Sequence, residues 1–263
     1  MKTCNSGRTG KPSISRNILK WTAFITMLAD HAALTLMGEY PRAQEWVRMT
    51  AGRMAMPLFL SMFVEGYIYS VKNVENGPDK WKKVFIKKGK NILLLLVCAA
   101  AAEPFFDLML YGKPSMARQN VMLTWAVCML ELMLMDAGWA VMPKVLATFR
   151  IILCLPVIAA GAAAAAQMRV DYGPVAPCVT GILFLIDRMR AETGKKTPMW
   201  ISAAISSGII AAACGTPGAM LAVLPAIVYD PQKACRKNKY MFYIGYPVHI
   251  AVLVALRWGI SCR

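Results

Sequence analysis

Apolar runs of about twenty residues alternate along this chain with short polar segments. None of the runs shows period-two alternation, so each reads as a helix rather than a barrel strand. A helix of that length spans the hydrocarbon core of a bilayer, roughly 30 Å thick. The pattern predicts nine helices, over 18–38, 49–71, 91–111, 120–137, 145–166, 173–188, 198–213, 217–230 and 240–259. The seventh and eighth are short enough to form one re-entrant pair. The expected fold class is all-α, a polytopic membrane helix bundle of about nine (eight to ten) transmembrane helices. Residues 1–17 read as a polar cytoplasmic tail and 18–263 as a single transmembrane domain, because no loop is long enough for a second.

Composition agrees with that class: 57% of the residues are hydrophobic and the mean hydropathy is +0.46. The formal net charge of +16 would suggest nucleic acid in a soluble protein. Here most Lys and Arg lie in the N-terminal tail and in the loops after the second, fourth, sixth and eighth spans, so the charge sets orientation. Positive loops stay inside, which puts the N-terminus in the cytoplasm and leaves no nucleic-acid partner to explain. The basic run KNVENGPDKWKKVFIKKGK, 72–90, suits anionic lipid headgroups, or a phosphate-rich cytosolic cofactor. The first span follows a basic segment but is too long, and too interrupted by Asp30 and His31, for a removable signal peptide. The eight Cys include no CxxC pair and read as small apolar fillers. No internal repeat supports an inverted-repeat transporter.

Polar side chains inside the membrane are costly and mark function by default. At 1.5 Å per helical residue, Asp30 and His31 lie about 18–20 Å from the cytoplasmic edge of the first span. Arg53 lies about 6 Å below the outer edge of the second, and Glu65 roughly 6 Å above its inner edge. Glu103 comes about 18 Å into the third span, just before Pro104, and His249 about 13 Å up the last. Asn120 opens the fourth span and Asp171 and Tyr172 the sixth, all at the outer surface. Lys20 sits near the start of the first span and Tyr246 within the last. Glu65 apart, these depths predict a polar layer between mid-membrane and the outer face. Histidine suits general-base work because its proton leaves near neutral pH. Asp30 and His31 point about 100° apart on a helix, so either Asp30 or Glu103 is a candidate to steady the imidazole, with Arg53 balancing charge. The plainer readings are an interhelical hydrogen bond for His31 and a proline kink at Glu103-Pro104. His31 and His249 are too few for a metal site, and none is expected.

Six segments, in order, carry a resemblance. ILKWTAFITMLADH (18–31), GRMAMPLFLSMFVEGY (52–67), AEPFFDL (102–108), QNVMLT (119–124), DYG (171–173) and MFYIGYPVHI (241–250) resemble blocks of the TraX family, membrane proteins named for acetylation of the F-pilin N-terminus. The chain departs from the pattern at Ala176, where the family usually has glycine, at Pro174, and in TWAVCMLELMLMD after the fourth block. The family is similar to a wider group of transmembrane acyltransferases that includes the acyltransferase-3 proteins and the lysosomal heparan glucosaminide N-acetyltransferase. The resemblance implies an acyltransferase of the bacterial inner membrane that uses cytosolic acetyl-CoA. The acceptor would be a pilin-like N-terminus, an envelope glycan or a lipid. It implies His31 as catalytic base, with Asp30 and Glu103 beside it. Arg53, Glu65, Asn120, Asp171, Tyr172, Tyr246, His249 and Lys20 become candidates for holding donor or acceptor. Two other readings use the same residues: a proton-linked transporter built on the buried Asp, Glu and His, and a non-catalytic assembly protein in which His31 is replaceable.

Overall fold

The computed structural model describes residues 13–74, 79–141, 147–233 and 241–261. Residues 1–12 of the expected tail lie outside that set, as do Cys4, Cys235 and Cys262. The described residues are helical, with two isolated β-bridges and no strand. The helices are α1 (Arg16–Leu36), α2 (Pro41–Met49), α3 (Ala55–Lys72), α4 (Lys80–Tyr111), α5 (Val121–Val141), α6 (Ala147–Gln167), α7 (Val175–Glu192), α8 (Met199–Cys214), α9 (Val223–Ile227) and α10 (Met241–Ser261). A 3₁₀ turn, Gly52–Met54, leads into α3, and a 3₁₀ segment, Pro217–Ala222, leads into α9.

Among the described residues, five stretches are long and apolar enough to cross a membrane: Pro41–Lys72, Lys80–Tyr111, Val121–Val141, Thr148–Gln167 and Tyr243–Ile260. The differences from the nine expected spans have physical reasons. Lys20, Asp30 and His31 lower the hydropathy of α1, and Asp187, Arg188 and Arg190 that of α7. α8 has 16 residues, about 24 Å of helix against a core of roughly 30 Å. The expected eighth span is a 3₁₀ segment and a helix of 5 residues, too short for a crossing. The basic run after α3 was expected as a loop, yet residues from Lys80 onward are already helical, because lysine is a good helix former and hydropathy registers only the apolar part.

Two compact units make up the chain. One comprises Met1–Met62, Pro198–Gly245 and Ala255–Arg263; the other comprises Phe63–Thr197 and Tyr246–Val254. In the first, Leu19 and Ala23 of α1 pack with Leu58 and Met62 of α3, Met199 and Ala203 of α8, Ala222 and Ala226. A polar seam joins α3 to α8, where the hydroxyls of Ser61 and Ser206 lie 3.2 Å apart and Ser206 also donates to the Pro57 carbonyl. Ahead of α1, the Ile14 N–H donates to the Val228 carbonyl at 2.8 Å and the Ile14 carbonyl accepts from Asp230 N–H at 3.0 Å.

In the second unit a chain of polar and aromatic contacts ties five helices. Lys88 donates to Ser70 and lies 4.2 Å from the Tyr67 ring centroid. The Tyr67 hydroxyl donates to Asp136 (3.3 Å), which is ion-paired to Arg188. Arg150 pairs with Glu192 at 2.7 Å and stacks over Trp139. Large apolar residues such as Leu93, Leu96 and Ile152 are exposed. Within the apolar window of α6 only 17% of residues are buried. Polar groups inside and apolar groups outside is the pattern a lipid-facing surface requires.

Candidate functional site

In the first unit the candidate chemistry gathers around the C-terminal half of α1. Asp30 and His31 are both partly buried. The His31 carbonyl accepts from the Thr35 hydroxyl at 2.6 Å, the intrahelical bond that threonine makes one turn on. The last carbonyls of α1 lack helical donors, and Gln44 of α2 reaches back to those of Ala33 and Leu34 at 3.1 and 3.2 Å. That anchor lays α2 beside the α1 terminus and delivers Arg48: its Nε is 3.4 Å from Asp30 Oδ1. The chain then turns through Gly52 toward α3. A methyl group on Gly52 would fall 2.6 Å from Asp30 Oδ1, so only glycine lets the carboxylate rest against this turn. Arg53, the next residue, joins Arg48 in acting electrostatically on Asp30. Gly218 braces the corner from the other side, with no room for a side chain against the Met49 carbonyl. Asp30 thus lies against two guanidiniums. Lys20 lies partly buried lower on α1.

In the second unit a different cluster forms where α4, α5 and the turn before α7 come together. Pro104 removes a helical hydrogen bond in α4, and the Ala99 carbonyl in that turn accepts from Asn120 Nδ2 at 2.9 Å. The same amide group donates to Glu103 Oε2, and so does Asn120 N–H, at 3.1 Å. Asn120 Oδ1 accepts from Met122 N–H at 3.0 Å, the bond of a helix N-cap. Both amide protons of Asn120 are therefore engaged within the protein, and its role here is to lock α4 to the start of α5. Asp171, Tyr172 and Gly173 form a tight turn in which Tyr172 (φ 62°) and Gly173 (φ 46°) are left-handed. Gln119 and Asp171 clip it to the start of α5, Asp171 N–H donating to the Gln119 carbonyl at 2.9 Å, and Thr124 donates to the Asp171 carbonyl at 2.8 Å. Arg118 lies 3.6 Å from the Asp171 carboxylate. Tyr246 of α10 is buried with its hydroxyl at the Val121 N–H and near Asp171 and Glu103. His249, also buried, meets the Tyr246 ring edge-on at 5.4 Å. Glu65 lies partly buried on α3 within this unit.

The family model of the TraX protein matches residues 15–257. The chain belongs to the TraX family. It is also similar to the probable fimbrial assembly protein FimC, serogroup H1, of Dichelobacter nodosus, at 26% identity over 93% of this chain and 98% of that one. No solved structure matches it.

The six sequence blocks of this TraX-family chain divide between the units. The first supplies Asp30 and the start of the second Arg53, with Arg48 contributed by α2 between them. AEPFFDL, QNVMLT, DYG and the YPVH segment build the Glu103–Asn120–Asp171–Tyr246 cluster. Sequence reasoning missed Arg48, Gln44 and the Tyr67–Asp136–Arg188 chain. Arg48 belongs to a short amphipathic helix opened by Pro41, which the search for apolar spans passed over. The pairing of basic residues on either side of Gly52 was the available signal.

Proposed function

We propose that this TraX-family protein is an integral-membrane acyltransferase of the bacterial cytoplasmic membrane, with its N-terminus in the cytoplasm. It moves an acetyl group from acetyl-CoA to the terminal amine of a pilin-like protein at the outer side. Family membership and the fimbrial name of the Dichelobacter relative support a pilin-type acceptor. The observation that carries the reading is His31 on the same turn of α1 as a carboxylate held by Arg48 and Arg53 against Gly52.

The thioester supplies an activated acyl carbon. His31 takes the proton of the acceptor amine as its nitrogen bonds to that carbon. Arg53 faces the charge that develops on the carbonyl oxygen. The carbon–sulfur bond then breaks, and the proton on His31 goes to the leaving thiolate. Asp30 keeps the two guanidiniums in place. The chain fits a phosphate-bearing donor in a further respect: Lys82, Lys83, Lys87 and Lys90 are exposed on the first turns of α4.

The test uses purified protein in detergent, acetyl-CoA and a peptide with a pilin N-terminus. Expected are saturable thermal stabilisation by acetyl-CoA, release of free CoA, and an acetyl mass gain on the peptide amine. Release and mass gain vanish in His31→Ala. Well-folded protein that neither binds millimolar acetyl-CoA nor releases CoA overturns the reading.

A further inference from the structure

Glu131 belongs to neither cluster. It stands at the middle of α5, eleventh of 21 residues, and is 2% exposed. Among the described residues it is the carboxyl group with both oxygens buried and no hydrogen-bond partner for either. Among the described residues no lysine or arginine acts on it. Its surroundings are shaped to admit it. A methyl on Gly181 of α7 would fall 2.9 Å from Glu131 Oε1, and one on Gly161 of α6 would fall 3.4 Å from its Cδ and 3.5 Å from Oε2. At Gly181 the space a side chain would need is taken by Ile158 of α6, 2.4 Å away, and by the Glu131 carboxyl, while Gly161 borders the carboxyl at ordinary contact distance.

The titratable groups facing it are the thiols of Cys128, on its own helix, and Cys178 of α7. α6 presents Gly161 and Ile158 along this seam. The Thr180 hydroxyl donates to the Ala176 carbonyl at 2.9 Å. A metal cation needs several oxygen ligands around it, and no group of three or more His, Cys, Asp or Glu capable of holding one occurs among the described residues. An isolated carboxylate in such surroundings costs several kcal/mol and is relieved by neutralisation. A proton is the one ligand that relieves it without needing volume between α6 and α7.

We propose that Glu131 is a proton-binding site, its carboxyl held as the neutral acid in the seam of α5, α6 and α7. Release of that proton leaves a charge facing two glycines with no donor. Water or a cation must then enter, so release is coupled to parting of the α6–α7 seam. The site is independent of acyl transfer by His31.

The experiment is infrared spectroscopy of the full chain in lipid nanodiscs at neutral pH. Wild-type protein is expected to show the carbonyl band of a protonated carboxylic acid, shifted in D2O and fully lost in Glu131→Gln. Glu131→Gln should melt where wild type melts, since the amide has the acid's shape. Loss of a carboxylate band instead, with the carboxylic-acid region unchanged, overturns the proposal. Should Glu131→Gln fail to fold, carboxyl-labelled [¹³C]glutamate is placed in Glu65→Gln, Glu103→Gln protein, where Glu131 is the remaining non-exposed glutamate among the described residues. An isotope-shifted carboxylic-acid band then supports the site, and its absence overturns it.

Discussion

Asp30 and Glu131 are both acids inside apolar helices, and they are solved in opposite ways. Asp30 has Arg48 at 3.4 Å and Arg53 beside it; Glu131 has no partner for either oxygen. Each is seated against glycine, Asp30 on Gly52 and Glu131 on Gly161 and Gly181. The backbone makes room for the carboxyl in both places, and only one of them supplies compensating charge. A partnered carboxylate fixes the position of its cations. An unpartnered one is a place where a proton arrives or leaves. The proposed acyl transfer rests on the first and the proposed proton site on the second.

The sharpest break of this comparison is at the histidine on the partnered side. His31→Ala is expected to lower transfer by about 10²–10⁴-fold, the usual contribution of a positioned base, with acetyl-CoA stabilisation retained in the thermal melt. Arg53→Ala is expected to lower it by roughly 10²–10³-fold, and Arg53→Lys to recover part of the loss; initial rates of CoA release report both. An amide exchange at the two acids then tests the contrast directly. Asp30→Asn strips two guanidiniums of their counter-ion and should destabilise the protein by about 1–3 kcal/mol, read as a lower melting temperature. Gly52→Ala should fall in a similar range, about 1–3 kcal/mol, because the new methyl meets the carboxylate; a melt equal to wild type would show that Asp30 does not rest on this turn. Glu131→Gln exchanges one neutral unpartnered group for another of the same shape and is expected to be the smallest change. A large destabilisation there would erase the distinction between the two acids.

Much of the fold was legible because apolar runs report helices directly. α5, α6 and α10 fall on expected spans to within a few residues. The start of α4 was not, since Lys80 to Lys90 form helix without being apolar. The region after Pro217 was misjudged in the other direction, as apolar content there supports a 3₁₀ segment and one short helix rather than a crossing. Candidate residues were found by their polarity, but partnership is a tertiary property. Depth along a span identified Glu103 and Asn120 as polar, while their mutual hydrogen bonds became visible only once Pro104 and the α5 cap were placed. Depth could not reveal that Arg48 serves Asp30, because Arg48 arrives on a helix that depends on Gln44 for its anchor. Glu131 is one acid in TWAVCMLELMLMD, and no local pattern says whether a neighbour will meet it.

The backbone pairing of Ile14 with Val228 and Asp230 has a consequence for biogenesis. Ser13, within reach of Lys233, is 220 positions from it in the chain, and the ribosome delivers the N-terminal residues first. α1 is therefore made long before α8, the 217–222 segment and the strap at Val228 exist to hold it. Residues 63–197, by contrast, form most of their unit as one continuous stretch and can close while translation proceeds. The first unit closes only with its C-terminal segments, so a nascent chain truncated between Thr197 and Asp230 holds the continuous 63–197 part of the second unit, without Tyr246–Val254, and an unfinished first unit.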